Sequence, residues 1–584
     1  MAPENSPQTP KAEKGTGSNS PQQSAPSSFG KTAIFAVIAA ILVYAYQTQL
    51  FSLWTPSAAP GTTPFDDDVS FAFGKDPETK VDFSADVQKR DAVVDAFKYA
   101  WAAYERDAMG NDEYHPLTQT GSNLSESGGI GYMVVDVIDT MQIMGLTEEY
   151  ERARDWVANK LTFDRDGNFN TFETTIRVLG GLLSAYHFSE DQIFLDKAVD
   201  LADRILPVFD TATGLPLSMT NLGKRIGVDD PNAPGLVSTA EAATLQLEFK
   251  YLSYLTDNVD YWEKAEAVMR VIDLAKIPAV VVPIYMSAET GQFQVSEIRL
   301  GSRGDSYYEY LLKQYLQTDK SERFYLKMYQ EAMEAIHKNM LKQGIHNGNA
   351  FTAEMLPERR SDGQVSWRLS PKQDHLVCFL AGSLMLGATT TGATGDNVSV
   401  PPRPSELTSS AQKDWKVGYE LLETCIDTYK TATGLSAEIV HFWIDEDGEK
   451  AKFNNGRDWY IKDNHAHAPS YDARYILRPE TVESLFIAFR LTGNPYYREV
   501  GWKIFGAIQK FCRVETGGYA SILNVDHDNT IQMDKMETFF LSETLKYLYL
   551  LFSDDTVIPL DKYVFNTEAH PIPIFTPTVK SGFL

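Results

Sequence analysis

Cysteine is scarce in this chain, with three residues among 584: Cys378, Cys425 and Cys512. Three cysteines cannot build a disulfide framework, and their spacing matches no zinc-binding motif. They allow one pair and one leftover thiol. Cys378 and Cys425, which share one stretch of the chain, are candidates for the pair only if the compartment is oxidising.

Basic residues are also few. The chain has 53 Lys and Arg against 79 Asp and Glu, a formal net charge of −26. Binding to nucleic acid needs a basic face, so we expect no nucleic-acid partner. The acidic surplus favours solubility and also fits a site for a neutral, hydroxyl-rich or cationic ligand. A hydrophobic content of 43% supplies a large core and excludes wholesale disorder.

Long apolar runs are rare, and the most prominent one is KTAIFAVIAAILVYAYQTQLFSLW at 31–54. Its dense part, Ala33 to Tyr46, is too short for a hydrocarbon core, but continuing to Trp54 gives about 22 residues, enough to span. Residues 1–30 are rich in Ser, Pro, Gln and Gly, which predicts a disordered tail. A cleaved signal peptide is the alternative, disfavoured by this long polar leader and by the lack of a small-residue cleavage site.

The charges around this run predict its orientation. Lys11, Lys14 and Lys31 precede it, and three aspartates at 66–68 follow it. The positive-inside rule then places the tail in the cytosol and the rest in the lumen, as a single-pass type II membrane protein. We expect a stem at 55–85, a catalytic domain at 86–584, and residence in the endoplasmic reticulum or early Golgi. The sequons at Asn123 and Asn397 are compatible with a luminal domain.

From residue 90 onward the apolar periodicity is mostly helical. One unit recurs seven times: a nearly apolar helix, a short polar break, and usually an amphipathic second helix. Examples are DTMQIMGLTEEYERARDWV from Asp139 and LEFKYLSYLTDNVDYWEKAEAVM from Leu247. The early helix from Ala92 can supply the outer partner of the last unit. Irregular spacing and the absence of capping units favour a closed all-α toroid over an open solenoid.

In such a toroid the inner helices run the same way, so their N-terminal ends meet at one mouth. Polar residues, with one aromatic at the last helix, precede or open each of the seven inner helices in turn: Asp136; Glu173 and Arg177; Glu241; Arg303 and Asp305; His375; Arg478, Glu480 and Glu483; Phe539 and Glu543. Helix capping explains any one acid, because the helix dipole favours anions at N-termini. Taken together, crowded carboxylates that raise one another's pKa, beside an aromatic ring, favour a glycosidase.

At these segments the chain resembles glycoside hydrolase family 47, the class I α-1,2-mannosidases, from about residue 90 to 572. The resemblance rests on long motifs in order: FETTIRVLGGLLSAY, AEAATLQLEFKYLSYLT, LGSRGDSYYEYLLKQY, DHLVCFLAG, YILRPETVESLF, METFFLSETLKYLYLLF and VFNTEAHP. It implies an (α/α)7 barrel. It also implies a calcium-dependent enzyme that inverts configuration at the bond it cleaves.

The resemblance assigns roles to single residues. The family's catalytic carboxylates correspond to Glu173, Asp305 and Glu480, with Glu480 as the base. The resemblance favours Glu173, acting through a water, as the acid, and Asp305 is the alternative. Thr567 corresponds to the calcium ligand, and Cys378–Cys425 to the family disulfide, which leaves Cys512 free. The remaining sugar-binding positions match Arg177, Glu241, Arg303, His375, Arg478, Glu483, Phe539, Glu543 and Glu568.

Arg303 bears on specificity, because the endoplasmic reticulum subgroup has arginine there and the Golgi subgroup has leucine. The resemblance thus implies a monomeric enzyme that acts on high-mannose N-glycans, converting Man9GlcNAc2 mainly to Man8GlcNAc2. Two alternatives are a mannosidase-like factor that binds glycans for glycoprotein degradation and a Golgi-type enzyme that trims to Man5GlcNAc2. A purely structural helical toroid does not explain the acids at the mouth.

Overall fold

The structure, a computed structural model, describes residues 81–276, 281–395, 397–448, 456–465, 468–580 and 582. The predicted tail, the predicted anchor at 31–54 and most of the predicted stem lie outside these residues. Within the described part, no helix combines the length and apolar content that crossing a bilayer requires. Two compact units are distinguished. The larger, residues 63–358 and 367–584, contains the helices and the site, and of the smaller only 359–366 are described.

Seven helices of the described chain form an inner layer, and seven form an outer layer. The inner helices are α2 (Tyr132–Met144), α4 (Gly180–Ser189), α6 (Gln246–Thr256), α8 (Asp305–Gln317), α10 (Phe379–Thr391), α12 (Glu480–Thr492) and α14 (Leu545–Phe552). The outer helices are α1 (Val87–Ala108), α3 (Thr147–Asn159), α5 (Gln192–Ile205), α7 (Val259–Ala275), α9 (Arg323–Asn339), α11 (Ser409–Asp427) and α13 (Pro495–Phe511).

Each inner helix packs against the inner helix of the next hairpin, and a segment leading into α14 packs against α2, so the inner ring closes. Each inner helix also packs on the outer helix that follows it, while α14 packs on α1 from the start of the chain. The described residues therefore form a closed helical barrel of seven hairpins. The predicted toroid is confirmed at this level.

Burial explains which helices lie inside. Every residue of α8 from Ser306 to Gln317 is buried, as expected of a helix surrounded by others. Helix α5 instead buries one stripe, which includes Phe194, Ala198, Leu201 and Ile205 at spacings of three and four. Burying a leucine or phenylalanine side chain contributes about 1.5–3 kcal/mol, so this stripe holds α5 against the ring.

Several inner helices begin with a distorted turn at the mouth. A short helix (Thr171–Glu173) and a π-helical segment (Thr174–Leu179) lead into α4, and a second π-helical segment (Phe540–Thr544) leads into α14. A short helix (Thr239–Ala242) precedes α6, and a 3-10 helix (His375–Cys378) precedes α10. Further 3-10 turns occur at Leu206–Phe209, Pro404–Glu406, Asp445–Asp447 and Tyr471–Ala473.

Short antiparallel strands fill the connections, where periodicity gave little sign of them. They are β1 (Glu113–His115), β2 (Thr120–Ser122), β3 (Asn168–Asn170), β4 (Met219–Asn221), β5 (Ile226–Val228), β6 (Leu236–Ser238), β7 (Tyr285–Ser287), β8 (Leu341–Gln343), β9 (Ala350–Thr352), β10 (Glu354–Arg359), β11 (Val365–Ser370), β12 (Lys372–Asp374), β13 (Ile439–Phe442), β14 (Trp459–Tyr460), β15 (Ser521–Ile522), β16 (Gln532–Met533), β17 (Tyr563–Phe565) and β18 (Pro571–Pro573). The described sheets have two or three strands each.

One placement at the mouth was wrong. Asp136 was expected before the first inner helix, but α2 begins at Tyr132, so Asp136 lies inside the helix and is fully buried. Its carboxylate lies 3.6 Å from Arg177 and 3.3 Å from the His570 ring, below the cavity. The error arose because the glycine at 131, not an acid, begins this helix.

The predicted disulfide is confirmed, since Cys378 at the start of α10 is bonded to Cys425 near the end of α11. Cys512 is free and buried, as expected. Both sequon asparagines, Asn123 and Asn397, are exposed, and their glycosylation stays a prediction. Phe83, at the end of the predicted stem, packs edge-on against Phe489 with ring centroids 5.6 Å apart, and the stem boundary stays a prediction.

Candidate active site

A cavity of about 260 Å³ opens among the N-terminal ends of the inner helices. Its wall includes most of the residues predicted for the mouth, together with two positions that the family resemblance added, Thr567 and Glu568. The mouth residues in the wall are Glu173, Arg177, Glu241, Arg303, Asp305, Arg478, Glu480, Glu483, Phe539 and Glu543. These positions come from five different hairpins and from the turn between β17 and β18. The structure thus brings together side chains that are almost 400 residues apart.

Glu173 is placed by local capping and by a cation. The Asn170 side chain accepts a hydrogen bond from the Glu173 backbone N–H at 2.8 Å, which begins the helical turn. The Arg177 Nε, one helical turn later, donates to Glu173 Oε2 at 2.8 Å, and the Tyr132 hydroxyl donates to the same oxygen at 3.1 Å. Glu173 is therefore a half-exposed carboxylate with a fixed orientation.

Arg177 binds more than one acid. Its Nη1 donates to Thr538 Oγ1 at 3.0 Å, contacts Glu568 directly and lies 3.6 Å from Asp136. Burial alone would lower the pKa of this guanidinium, but Glu568, Glu173 and Asp136 raise it well above its ordinary value. Arg177 therefore stays charged and joins two walls of the cavity.

Glu480 opens helix α12 and carries two cationic or polar partners. His375 Nδ1 lies 2.8 Å from Glu480 Oε2, and Arg478 Nη1 lies 3.6 Å from Oε1. Burial pushes the pKa of Glu480 upward, but Arg478 and His375 outweigh it and hold the pKa below its ordinary value. Glu480 is therefore ionised near neutrality and can accept a proton.

His375 lies behind Glu480 and outside the cavity wall. Its other ring nitrogen, Nε2, lies 3.1 Å from both the Tyr429 hydroxyl and Thr481 Oγ1. These contacts orient the ring against the Glu480 carboxylate. His375 was predicted to bind the sugar. In the structure it contacts Glu480, which lines the cavity, and does not line the cavity itself.

Asp305 opens helix α8, and its environment differs from that of Glu480. Its carboxylate accepts one short hydrogen bond, from the Ser306 backbone N–H at 2.8 Å. Burial raises the pKa of Asp305 to about 7, and the nearby Glu309 and Glu480 contribute to the rise. At neutral pH a large fraction of Asp305 therefore carries a proton that it can donate.

Arg303 is held in an unusual backbone conformation beside the cavity. Its φ is +72°, and its carbonyl oxygen accepts a hydrogen bond from the Ala240 backbone N–H at 3.0 Å. The guanidinium lies 3.2 Å from Glu241 and 5.4 Å from the centre of the Tyr285 ring. A non-glycine residue in this region is strained, which is common where function constrains the backbone.

Phe539 forms an aromatic platform between two arginines. The Arg478 guanidinium lies 5.5 Å from the ring centre, and the Arg177 guanidinium lies 5.7 Å from it. Arg478 in turn is fixed by Glu438, to which its Nη2 donates at 2.6 Å. The ring therefore has a fixed position on the cavity wall, suitable for stacking on a sugar.

Thr567 projects from the turn between β17 and β18. Its hydroxyl donates to Glu309 Oε2 at 2.8 Å, and its backbone N–H donates to the Tyr310 hydroxyl at 3.3 Å. Glu309 also pairs with Lys313, which lies 3.7 Å from Glu483. The Thr567 hydroxyl is thus bonded to Glu309, a carboxylate of the cavity wall, and Lys313 connects Glu309 to Glu483.

Calcium fits this donor set. Calcium binds hard oxygen atoms, and one threonine can supply two while waters supply the rest. Burial raises the pKa of Glu483 to about 8, and burial together with Glu568 and Glu480 raises the pKa of Glu543 well above its ordinary value. A cavity with this many crowded carboxylates favours a bound cation. No group of three or more His, Cys, Asp or Glu among the described residues is spaced to hold a metal alone.

Sequence reasoning missed some site residues. Glu309 and Lys313 follow Asp305 by four and eight positions, so helical spacing alone would have placed them on its face of α8. Glu438 lies just before β13 in irregular chain, and no periodic signal marks it. Its contact with Arg478, 40 positions away, is visible only in the fold.

Comparison with known proteins agrees with this site. Residues 96–574 match the family described as Glycosyl hydrolase family 47. The chain is 45% identical over 501 residues to a mannosyl-oligosaccharide 1,2-alpha-mannosidase of Candida albicans, covering 84% of both chains. It is 42% identical to the endoplasmic reticulum mannosyl-oligosaccharide 1,2-alpha-mannosidase of Schizosaccharomyces pombe, covering 83% of this chain and 89% of the relative.

A solved structure shares the fold. The alpha-1,2-mannosidase from Trichoderma reesei superposes with a TM-score of 0.72 at 27% sequence identity, covering 84% of this chain and all of that one. The family match spans most of the chain, the relatives exceed 40% identity, and the cavity contains the acids on which the resemblance rested. The chain therefore belongs to glycosyl hydrolase family 47.

Proposed function

We propose that the protein is a calcium-dependent, inverting exo-α-1,2-mannosidase that trims high-mannose N-glycans, mainly Man9GlcNAc2 to Man8GlcNAc2. One observation carries the chemistry: Glu480 and Asp305 line one cavity with pKa values shifted in opposite directions. Glycoside hydrolysis with inversion needs one carboxylate that is ionised and one that is protonated. The substrate is supported by the relatives, which are named as mannosyl-oligosaccharide 1,2-alpha-mannosidases.

In this proposal Glu480 is the base that removes a proton from the attacking water. Its lowered pKa and its contacts with His375 and Arg478 suit that role. Asp305 is the favoured acid, because a pKa of about 7 leaves it protonated for part of the time at neutrality. Glu173 is the alternative acid, and its bonds to Arg177 and Tyr132 support an orienting role instead.

Thr567 would hold calcium through its hydroxyl oxygen and backbone carbonyl. When bound, the ion supplies coordination sites for water and for sugar hydroxyls, which fixes a ring in the cavity. Phe539 stacks on one face of the sugar ring and excludes water from it. Glu483, Glu543 and Glu568 accept hydrogen bonds from hydroxyls or from waters around the ion.

Arg303 at the rim supports the restricted product. A guanidinium has five donors in a rigid fork and can bind several sugar hydroxyls at once. The strained backbone and the contact with Glu241 hold this fork in one direction. One arrangement of the glycan branches then binds best.

The relatives named for the endoplasmic reticulum support the same location for this chain. We propose a type II membrane protein anchored by residues 31–54, with its monomeric barrel in the lumen and glycans on Asn123 and Asn397. The disulfide between Cys378 and Cys425 supports an oxidising compartment.

The purified full-length protein, in detergent micelles, tests the proposed function. Incubated with Man9GlcNAc2 and calcium, it should release free mannose and accumulate Man8GlcNAc2, as measured by mass profiling of the glycans. A chelator should abolish release, and added calcium should restore it. Binding of the glycan without release would favour the degradation factor, and progress to Man5GlcNAc2 would favour the Golgi-type enzyme.

The substitution Arg303→Leu tests the specificity argument. It removes the fork and its contact with Glu241, so trimming should continue beyond the first mannose while the first cleavage slows by less than about tenfold. Time courses of the product masses measure both effects. Arg474→Leu, at a half-buried arginine stacked on Tyr471 outside the cavity, is the matched control. An unchanged product profile for Arg303→Leu would show that Arg303 does not determine which glycan product accumulates.

A further inference from the structure

Two π-helical segments lie at the mouth, on either side of helix α2. One, Thr174–Leu179, contains Arg177 and follows Glu173 directly, and the other, Phe540–Thr544, contains Glu543. Both pack against α2. π-helical turns are rare and occur often at functional sites, because the widened turn redirects side chains and frees backbone groups. A widened turn of this kind needs hydrogen-bond partners from outside its own helix.

Asn566 supplies a partner to the first segment. Its side-chain Nδ2 donates to the carbonyl oxygen of Ile176, inside the π-helical turn, at 2.9 Å. Asn566 is fully buried and stands directly before Thr567 in the turn between β17 and β18. This hydrogen bond joins positions 390 residues apart. It links the helix of the Glu173–Arg177 pair to the turn of Thr567 and Glu568.

The remaining polar capacity of Asn566 is also used. Nδ2 donates a second hydrogen bond to Glu248 Oε1 at 2.8 Å, on helix α6. Oδ1 accepts from the backbone N–H of Glu568 at 3.0 Å and from that of His570 at 2.8 Å. The Asn566 oxygen therefore accepts hydrogen bonds within its own turn. The Asn566 nitrogen binds that turn to the π-helical segment before α4 and to helix α6. A buried amide with all of its hydrogen bonds made is held in one orientation.

The approach of the turn to the helix is close enough to require glycine. A Cβ built on Gly180, the first residue of α4, would lie 2.6 Å from Asn566 Nδ2 and 3.0 Å from the His570 ring. Both neighbours are buried and bonded, so neither can move freely. Gly180 has ordinary helical backbone angles, and its lack of a side chain serves this contact rather than a turn.

We propose that Asn566 is a positioning residue: it fixes the Thr567–Glu568 turn to the π-helical segment of Arg177, so that the Glu173–Arg177 pair and the calcium-binding turn keep one relative position. This role rests on the proposed function, since it concerns the same site. Asn566 itself does not line the cavity. It acts through the backbone of Ile176 and of its own turn.

Gly180→Ala is the first test. Alanine is favoured over glycine in a helix by about 1 kcal/mol, so a loss of function would not come from the helix itself. The new methyl group should displace Asn566, lower kcat about tenfold to 100-fold and weaken calcium binding, since a displacement of about 1 Å at a catalytic site can cost 10²-fold. Gly506→Ala, on outer helix α13 with open space around its Cβ, is the matched control and should leave both values unchanged.

Asn566→Asp is the second test. The carboxylate still accepts from Glu568 and His570 but has no N–H for the Ile176 carbonyl, and it faces the Glu248 carboxyl, whose pKa burial already raises to about 7. We expect a loss of about 100-fold in kcat. Adding Glu248→Gln supplies an amide donor to the new aspartate. The kcat of the double variant should be at least about tenfold higher than that of Asn566→Asp alone. Glu248→Gln alone keeps an acceptor for Asn566 and should have a small effect.

Amide hydrogen exchange separates this proposal from the proposed function. In Gly180→Ala and Asn566→Asp, peptides that cover 174–179 and 566–570 should exchange faster together, whether or not mannose is released. A wild-type protein that releases no mannose would defeat the proposed function, and the exchange measurement would still decide the role of Asn566. Unchanged exchange at 174–179, or full kcat in Gly180→Ala, would overturn the positioning role. Equal losses in Glu248→Gln and Asn566→Asp would overturn it too.

Discussion

Glu480 and Asp305 occupy equivalent places in two hairpins and have opposite properties. Each is the first residue of an inner helix, α12 and α8, and each lines the same cavity. The helix dipole favours the ionised form of both to a similar extent. Yet the pKa of Glu480 lies below its ordinary value, and that of Asp305 rises to about 7.

The neighbours account for the difference. Glu480 has Arg478 at 3.6 Å and His375 at 2.8 Å, whereas the acids Glu309 and Glu480 act on Asp305. Both carboxylates are desolvated, so the presence or absence of a close cation decides which one gives up its proton. A repeated fold thus supplies equivalent positions, and a few side chains between the repeats assign them different chemistry.

The largest loss of activity should come from removing the ionised carboxylate, Glu480. Glu480→Gln keeps the size of the side chain and a hydrogen-bond partner for His375, but it cannot accept a proton from water. The kcat for Man9GlcNAc2 should fall about 10²–10⁴-fold, the range for loss of a general base. Glycan binding, measured by calorimetry with the intact glycan, should persist. Normal turnover would show that the two carboxylates do not divide the work as proposed.

The loss of activity on removing the protonated carboxylate, Asp305, should depend on the leaving group. Asp305→Asn should lower kcat on Man9GlcNAc2 about 10²–10³-fold, because the departing sugar needs a proton. With α-mannosyl fluoride, whose fluoride leaves without protonation, the variant should approach wild-type rates. Glu173→Gln is the parallel variant. If only Glu173→Gln recovers with the fluoride, Glu173 is the acid and the pKa comparison misassigns the pair.

The smallest effect should be a displaced pH profile. Ionised Glu480 is needed, so activity falls as pH falls through its pKa; protonated Asp305 is needed, so activity falls as pH rises through about 7. Arg478→Met removes the cation that lowers the pKa of Glu480, and the acidic limb should therefore move to higher pH. The alkaline limb should move in the same direction but less, because Arg478 also lowers the pKa of Asp305, where burial outweighs it. The control is Arg474→Met, outside the cavity, and equal movement of both limbs would contradict separate control of the two groups.

The sequence predicted the barrel because helical periodicity is local. Seven buried helices and their amphipathic partners each leave a pattern over 10 to 20 residues, and closure follows from the early helix at Ala92. The convergence of Glu173, Asp305 and Glu480 followed from the same count. Their catalytic roles were assigned only through the family resemblance, because acids are common at helix N-termini simply as capping residues.

What the sequence did not predict depends on contacts between distant segments. The role of Asp136 changed because its helix begins at Tyr132, four residues before Asp136, whereas the prediction placed the helix after Asp136. The two π-helical turns leave no pattern in residue type. Glu438 and Asn566 act through partners 40 and 390 positions away, and polar residues in irregular chain carry no signal of such partners.

The closure of the ring has a consequence for biosynthesis. Helix α1 completes the last hairpin, and the Asp86 backbone N–H donates to the carbonyl of Phe552, 466 residues later in the chain. At translation rates of about 5–20 residues per second, the first helix waits roughly 25–90 s for its partner. Its buried face, with Phe97, Trp101 and Tyr104, stays uncovered for that time. The nascent barrel therefore exposes apolar surface until its last hairpin emerges, and loss of helix α14 would leave the first helix without its partner.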